Sequence, residues 1–223
     1  MCGRFTLQSP SDALAELFEW AEAGELRSSY NVAPTQRIPV FRENADAGAA
    51  EIALLRWGLI PFFAKDASIG ARMINARSET IAEKPSFRNA YRQRRCLVLA
   101  DGFYEWRKEG EQKTPYLISL ADGSPFAFAG LWENWTSKES DETIQSTALI
   151  TTAANDYMSQ IHHRMPIILQ AETAGRWLDG DNDLLGDVSA NSPEFRAWPV
   201  GREVNNARNE KESLIDQAGD PIT

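Results

Sequence analysis

Apolar residues along most of the chain follow the short, alternating runs typical of β-strands, and only brief segments show helical spacing. Near the N-terminus, a Ser-Pro-Ser-Asp sequence precedes apolar residues three and four apart, which predicts a capped helix over residues 11–22. Strand-like runs lie at Ile38–Phe41, Ile52–Trp57, Cys96–Trp106, Tyr116–Leu120, Phe126–Trp132, Thr147–Thr152 and Met165–Leu169. Shorter helical patterns lie at 88–94, 153–159 and 172–178. This order predicts an α+β fold with a mixed, largely antiparallel β-sheet or barrel-like core and surrounding short helices.

Turn residues support this topology. Polar turns at Lys108–Glu111 and Ala121–Ser124 join consecutive strands into a meander, and the Asp-Gly pair in the second favours a tight hairpin. A polar loop at 43–49 joins two earlier strands. From about residue 205 apolar residues become sparse, so we expect a single domain over 1–223 with a loosely docked C-terminal tail.

The composition of the 223 residues, 43% hydrophobic and 25% charged, is typical of a globular protein. The longest apolar stretch, Pro125–Trp132, is far shorter than a membrane span, so we expect a cytoplasmic monomer without membrane contact. Two cysteines form neither a disulfide framework nor a metal-binding pair, so we expect no metal and no cofactor.

Charge is unevenly distributed along the chain. The net charge of −9 argues against a protein wrapped in nucleic acid. Between Arg56 and Arg95, however, nine basic residues stand against three acidic ones, a local charge of +6 on a remainder of −15. This pattern predicts a confined polyanion site on an acidic body.

Cys2 is the first candidate for chemistry, because an initiator Met before a small residue is normally removed. Removal of Met1 would leave Cys2 with a free α-amine and a thiol on adjacent carbons. Their reference pKa values, near ~7.7–8.0 and ~8.5, leave both partly nucleophilic at neutral pH. Their natural electrophile is an aldehyde, with which they close a thiazolidine ring. The alternative interpretation is a small hydrophobic residue at a terminus.

Two further candidates are an acid and a histidine pair. Glu105 is flanked by aromatic residues in an apolar strand, where burial would raise its pKa and suit it to general acid catalysis. Strand alternation equally permits a solvent-facing Glu105. His162 and His163 are the only histidines, and adjacent residues on an extended chain point in opposite directions. This favours one functional histidine over a metal site. The alternative interpretation is a surface turn in which neither histidine has a function.

Polar and aromatic residues of the basic segment form a third group. Asn75 can orient a substrate, and Arg77 can bind a phosphate through its forked guanidinium. Each is equally explained as a capping or solvated residue. The aromatic residues Trp57, Phe62, Phe63 and Trp106 can either stack on unpaired bases or fill the core.

Six motifs together resemble the SOS-response-associated peptidase (SRAP) family, whose members crosslink to abasic sites in single-stranded DNA. In the family's order, they are Met1–Phe5, Tyr30–Pro34, Trp57–Pro61, Ile74–Thr80, Asp101–Trp106 and Ile161–Pro166. The resemblance implies a DNA-damage-response enzyme whose partner is single-stranded DNA containing abasic sites, including single/double-strand junctions. It also implies association with the nucleoid when bound to damaged DNA. The family name adds a peptidase activity, for which only Met1 precedes Cys2 here.

The resemblance also implies roles for individual residues. The catalytic set is Cys2 as nucleophile with Asn75, Glu105 and His162 around it. The DNA-binding set is Arg4, Asn31, Pro34, Phe62, Phe63, Arg77, Trp106, Thr151 and Arg164. The chain departs from the family where Phe62 and Phe63 replace the usual tryptophan, because phenylalanine offers a smaller face for stacking.

Two other functions are open on the residues alone. Class II glutamine amidotransferases also begin with Met-Cys-Gly, and their N-terminal cysteine attacks a side-chain amide. In that family a hydrophobic residue usually follows the glycine, whereas this chain has Arg4-Phe5. The third reading is a single-stranded DNA-binding module without covalent chemistry. An adduct on abasic DNA, or hydrolysis of glutamine, distinguishes the three.

Overall fold

A computed structural model of the protein describes residues 2–17, 26–44, 49–190 and 192–222. The strands within this part are β1 (Phe5–Leu7), β2 (Ser29–Val32), β3 (Arg37–Asn44), β4 (Ala49–Trp57), β5 (Asn75–Arg77), β6 (Arg95–Ala100), β7 (Gly102–Glu109), β8 (Gln112–Leu120), β9 (Phe126–Thr136), β10 (Thr143–Ala153), β11 (Arg164–Pro166), β12 (Ile168–Leu169) and β13 (Phe195–Pro199). The α-helices are α1 (Ser11–Leu17), α2 (Arg88–Gln93), α3 (Asp156–Ser159), α4 (Ala171–Leu178) and α5 (Leu184–Ala190). Short 3-10 helices lie at Ala67–Arg72, Ser78–Thr80, Arg202–Asn205 and Glu212–Ile215.

A closed ring of strands forms the centre of the molecule. Strand β10 pairs with β4, β4 with β3, β3 with β6, β6 with β9, and β9 again with β10. All of these pairings are antiparallel except β4–β10. The predicted α+β fold with a largely antiparallel, barrel-like core is therefore confirmed.

A second sheet carries the N-terminus, with strand order β13-β8-β7-β1-β2. The short strand β1 lies between β2 and β7, where Phe5 is opposite both Val32 and Phe103. The ring of Phe5 packs on the rings of Trp57 and Phe128, at centroid distances of 5.2 and 5.7 Å. This aromatic contact fixes the chain immediately after Cys2 against the barrel.

The predicted strand Cys96–Trp106 is in fact two strands in different sheets, with β6 in the barrel and β7 in the second sheet. The chain changes sheets at Asp101, whose carboxylate accepts hydrogen bonds from the backbone N–H groups of Gln8 and Ser9 and from the Ser9 hydroxyl. Such side-chain bonds to the backbone replace a strand ladder at this corner. An acidic residue between two apolar runs was the signal for this break.

Two predicted helices differ in extent. Helix α1 is described over Ser11–Leu17, and the remainder of the predicted helix, including Phe18 and Ala21, lies outside the described residues. Helix α3 begins at Asp156 rather than at 153, because the side chain of Asn155 caps it by accepting the Met158 N–H at 2.8 Å. No helix in the described ranges is long and apolar enough to cross a membrane.

The C-terminal segment from residue 202 is mostly exposed and is attached to the second sheet at a few points. Val204 and Leu214 are buried, and the Trp198 indole donates to the Ile215 carbonyl at 2.9 Å. Farther on, Ile222 pairs with Ala197 of β13. A few well-placed apolar side chains and backbone bonds are therefore enough to anchor a segment of polar composition.

Candidate active site

Cys2 lies three residues before the start of β1, and it is fully buried. Its carbonyl oxygen accepts a hydrogen bond of 2.8 Å from the Asn75 side-chain amide. Two residues farther on, the Arg4 carbonyl accepts the backbone N–H of Tyr104 in β7 at 2.9 Å. The N-terminal residues are thus held from both sides, by β5 and by β7.

The Cys2 thiol is poorly ionised in this environment. Burial raises its pKa well above the ordinary range, and the nearby carboxylate of Glu105 raises it further. Glu105 lies on β7 with only 3% of its surface exposed, so the interpretation of a buried acid is confirmed over that of a solvent-facing one. A buried thiol next to a buried carboxylate needs a proton acceptor at hand to become nucleophilic.

His162 completes the group from the turn before β11. Partial burial lowers its pKa, an effect that the charge of Glu105 partly offsets, so the imidazole is neutral near pH 7. Its Nδ1 lies 3.0 Å from the backbone nitrogen and 3.1 Å from the carbonyl oxygen of Arg164, so the backbone of Arg164 holds the ring on this side. His163 is exposed and stacks on His162 with ring centroids 4.3 Å apart. The two histidines differ in exposure, but their stacked rings do not point in opposite directions, contrary to the expectation for neighbours on an extended chain.

Asn75 has a second feature besides its bond to Cys2. It begins β5, which pairs in parallel with β10 and sets Asn75 opposite Leu149. Within the described part of the chain, its Oδ1 atom is buried and has no hydrogen-bond partner. A buried amide oxygen without a donor is costly, and it marks a position where a bound group can donate.

Arg4 and Asn31 are bonded to each other and to the C-terminal segment. The Nη1 atom of Arg4 donates to Asn31 Oδ1 and to the Val204 carbonyl, each at 2.7 Å. The Asn31 amide donates in turn to the carbonyls of Asn206 and Asn209, at 3.1 and 2.8 Å. Asn31 is fully buried, and its side chain is bonded to Arg4 and to the C-terminal segment.

Arg164 and Thr151 meet at the strand edge formed by β10 and β11. Both guanidinium Nη atoms of Arg164 bind the carboxylate of Glu79, one of them at 3.0 Å. Nη2 also donates to the Thr151 carbonyl at 2.6 Å. Glu79 was not among the predicted site residues, although it lies in the same motif as Asn75 and Arg77.

The remaining DNA-contact candidates vary in exposure. Arg77 is exposed on β5, where it lies opposite Thr151. Pro34 is half-buried at the turn after β2. Trp106 is half-buried on β7, and its indole donates to the Asn205 side chain at 2.7 Å. Of these three residues, Arg77 alone is positively charged, and it is exposed.

The aromatic residues separate into core and surface. Trp57 is fully buried and donates to the Ile74 carbonyl at 3.0 Å, so it belongs to the core. Phe62 and Phe63 are 56% and 52% exposed, and their rings meet edge to face at 5.3 Å. Two adjoining exposed aromatic rings form a small apolar patch that is available for stacking on a ligand. They lie on the loop between β4 and the 3-10 helix Ala67–Arg72.

The structure thus gathers Cys2, Asn75, Glu105 and His162 into one group, with Arg77, Thr151 and Arg164 on the adjoining strand edge. In the residues that the structure describes, no three His, Cys, Asp or Glu side chains are grouped to hold a metal ion. The chemistry available here is that of a thiol, a carboxylate, a neutral imidazole and an amide.

Comparison with known proteins gives consistent matches along the chain. The model of the family "SOS response associated peptidase (SRAP)" matches residues 1–207. The chain is 42% identical over 225 residues to "Abasic site processing protein YoqW" of Bacillus subtilis (strain 168), covering 97% of this chain and 99% of that protein. It is 32% identical over 219 residues to "Abasic site processing protein HMCES" of Xenopus tropicalis, covering 84% of this chain and 65% of that protein.

Solved structures share the fold of this chain. A crystal structure of a protein from Bacteroides thetaiotaomicron superposes with a TM-score of 0.82 at 26% identity, covering 97% of this chain and all of that one. A second, from Bordetella bronchiseptica, superposes with a TM-score of 0.75 at 26% identity over 90% of this chain.

Proposed function

Because the chain belongs to the SOS response associated peptidase family, we propose that it recognises abasic sites in single-stranded DNA and crosslinks to them through Cys2. The proposal requires removal of Met1, which frees the α-amine of Cys2. The observation that carries it is the position of Cys2 among Glu105, His162 and Asn75, three side chains that can move or hold protons.

The proposed crosslinking reaction is a condensation that needs neither an oxidant nor a cofactor. The Cys2 amine adds to C1′ of the ring-opened abasic sugar to give a carbinolamine, which loses one water to form an imine. The thiolate then adds to the same carbon, and the thiol proton passes to the imine nitrogen. One C–N and one C–S bond form, the aldehyde oxygen leaves as water, and the product is a five-membered thiazolidine.

Glu105 and His162 are proposed to divide the proton transfers. The carboxylate of Glu105 lies close enough to Cys2 to perturb its thiol, so it accepts a proton from the amine or thiol. A neutral His162 is proposed to donate from Nε2 to the sugar oxygen as the ring opens. The buried Oδ1 of Asn75 accepts from the Cys2 amine or from a sugar hydroxyl.

The strand edge beside this group is proposed to hold the DNA backbone. Arg77 is exposed and available for a phosphate. Arg4 contributes through nitrogen atoms other than the Nη1 atom bonded to Asn31 and Val204. Arg164, whose two Nη atoms bind Glu79 and whose Nε is buried, contributes when a phosphate replaces the Glu79 carboxylate. This arrangement favours a small footprint around the lesion, in keeping with the acidic charge of the whole protein.

The test uses Cys2→Ser and an abasic single-stranded oligonucleotide. The variant keeps the amine but has a poorly nucleophilic hydroxyl, so it should form an imine that borohydride traps and that heat releases when untreated. The wild type should give an adduct that survives heating without borohydride, because its C1′ is already saturated. The same heat-stable adduct from Cys2→Ser would show that a different residue is the nucleophile.

Two controls separate the proposal from its alternatives. An oligonucleotide with a normal base in place of the abasic site should give no adduct with the wild type. Binding to abasic DNA without any adduct would support a non-covalent module, and hydrolysis of glutamine without an adduct would support an amidohydrolase.

A further inference from the structure

His163 is the histidine that the proposed mechanism leaves without a role. Its side chain is exposed, and its imidazole stacks on that of His162 with ring centroids 4.3 Å apart and ring planes 29° apart. Neighbouring side chains on an extended chain project to opposite sides, so this stack requires the bend that the backbone makes at His163. The ring contact is therefore a product of the turn that precedes β11.

Backbone hydrogen bonds hold that turn in place. The backbone N–H of His162 donates to the Met158 carbonyl at 2.9 Å, and the His163 carbonyl accepts the Ala154 N–H at 3.2 Å. The next residue, Arg164, begins β11, which pairs with β10. Both imidazoles thus project from an anchored backbone, and the position of each ring is set by its own side-chain torsions.

The stack restrains His162 from a direction that its contact with Arg164 does not. The backbone of Arg164 lies at one edge of the ring, 3.0 and 3.1 Å from Nδ1, whereas His163 covers a face of the ring. The terminal torsion of histidine is broad, so an edge contact alone leaves the ring some freedom to tilt. A second ring packed on the face limits that tilt and excludes water from one side of the imidazole.

The stack also opposes protonation of His162. Burial is the main reason that the pKa of His162 is lowered, and the charged or titratable groups that face its ring are Glu105 on β7, the N-terminal amine and His163. Glu105 favours the imidazolium form. A protonated His163 places a like charge 4.3 Å from the His162 ring and disfavours that form.

We propose that His163 is a positioning residue for His162, and that its ring, stacked on the His162 face, holds that imidazole in the orientation in which it acts on the abasic sugar. The inference deepens the proposed function and rests on it, because His163 acts only through His162. No contact with the substrate is assigned to His163 itself.

The test compares His163→Phe, which keeps a stacking ring without a charge, with His163→Ala, which removes both. Gln160→Ala is the matched control, because Gln160 is exposed in the turn that leads to His162. His162 and His163 are the only histidines of the chain, so NMR follows the titration of the His162 ring without overlap in the two variants. Adduct formation on an abasic single-stranded oligonucleotide is measured in single turnover at saturating DNA.

His163→Ala should slow adduct formation by about tenfold at pH 7, a part of the 10²–10⁴-fold that a general acid or base contributes. His163→Phe should stay within about twofold of the wild type, because the stacked ring is retained. The titration midpoint of His162 should rise in both variants, since neither carries a second imidazolium. The Gln160→Ala control should change neither the rate nor the titration.

A double variant tests whether His163 acts through His162. His162→Ala/His163→Ala should form the adduct no more slowly than His162→Ala alone, because the positioning residue has nothing left to position. Further slowing in the double variant would show that His163 contacts the substrate and would overturn the inference.

Three other results would also overturn it. These are a wild-type rate for His163→Ala, a His163→Phe variant as slow as His163→Ala, and a His162 titration that is unchanged in His163→Ala. Failure of the wild type to form any adduct would instead refute the proposed function, and the NMR titration would still report on the contact between the two rings. The two failures are therefore distinguishable.

Discussion

Replacing Glu79 with Gln separates the structural and the DNA-binding roles of Arg164. The substitution keeps the shape of the side chain and one hydrogen-bond acceptor, but it removes the negative charge that now holds both Nη atoms of Arg164. The Arg164 side chain is 11% exposed and that of Glu79 is 47% exposed, so the pair is half screened by solvent. We therefore expect a loss of about 1 kcal/mol in the free energy of unfolding at pH 7, near the top of the range for exposed pairs.

The loss should depend on pH in a defined direction. The guanidinium of Arg164, with a smaller effect of Arg77, lowers the pKa of Glu79 below its ordinary value. A carboxylate whose pKa is lowered by folding stabilises the protein above its unfolded pKa, roughly 4.3, and loses that contribution as pH falls through its folded value. The stability difference between wild type and Glu79→Gln should be full above about pH 5.5 and should disappear in acid.

DNA affinity should change in the opposite sense from stability. Without the carboxylate, Arg164 is free to bind a phosphate, and one repulsive charge near the strand is gone, so affinity for abasic DNA should rise several-fold. The assays are thermal unfolding across pH and titration with a labelled abasic oligonucleotide. The matched control is Glu203→Gln, which breaks an exposed pair with Lys211 and should change neither property appreciably.

A variant that is as stable as the control at pH 7, or that binds abasic DNA more weakly than the wild type, would refute this reasoning. The first outcome would mean that the Glu79–Arg164 pair contributes no net stability. The second would mean that Glu79 positions Arg164 for the DNA and does not compete with it.

Three further predictions follow from single contacts. Asn75→Ala removes the 2.8 Å bond to the Cys2 carbonyl and should slow adduct formation by about tenfold in single-turnover assays, as loss of roughly 1.4 kcal/mol implies; an unchanged rate would contradict the positioning role. Asn31→Ala removes the buried hydrogen bonds that the Asn31 side chain makes with Arg4 and with the Asn209 carbonyl. It should lower the unfolding free energy by about 2–3 kcal/mol in urea titrations; a loss below about 0.5 kcal/mol would contradict a stabilising role of these bonds. Phe63→Ala should weaken DNA binding by about 1–3 kcal/mol while lowering stability by less than about 1.5, since half the ring is exposed; a large stability loss with unchanged affinity would instead identify a core residue.

Local patterns in the sequence were sufficient to predict the hairpin of β7 and β8 and the helices α2 and α4, because each depends on turn residues and periodicity within a short stretch. The predicted second hairpin, and with it the meander, is wrong: β8 pairs with β7 and β13, whereas β9 lies in the other sheet and pairs with β6, β10 and β12. The break at Asp101 was missed because the apolar run continues on both sides of it. What divides the run is a set of bonds from Asp101 to Gln8 and Ser9, some ninety residues earlier in the chain.

Contacts between residues far apart in the sequence were also unpredictable within the candidate site. The motifs located Cys2, Asn75, Glu105 and His162, yet no local pattern shows that Asn31 is covered by carbonyls of residues 206 and 209. Such contacts join segments far apart in sequence and depend on how the sheets pack. Exposure was likewise undecided from sequence, and only the structure separates the buried Trp57 from the exposed phenylalanine pair.

The most direct test of the central claim is the intact mass of the protein after mixing with an abasic single-stranded oligonucleotide. The account predicts a species equal to the chain without Met1 plus the oligonucleotide minus one water, with the linkage mapped to Cys2 by peptide analysis. No covalent species, an adduct that retains Met1, or a linkage at a lysine would contradict it.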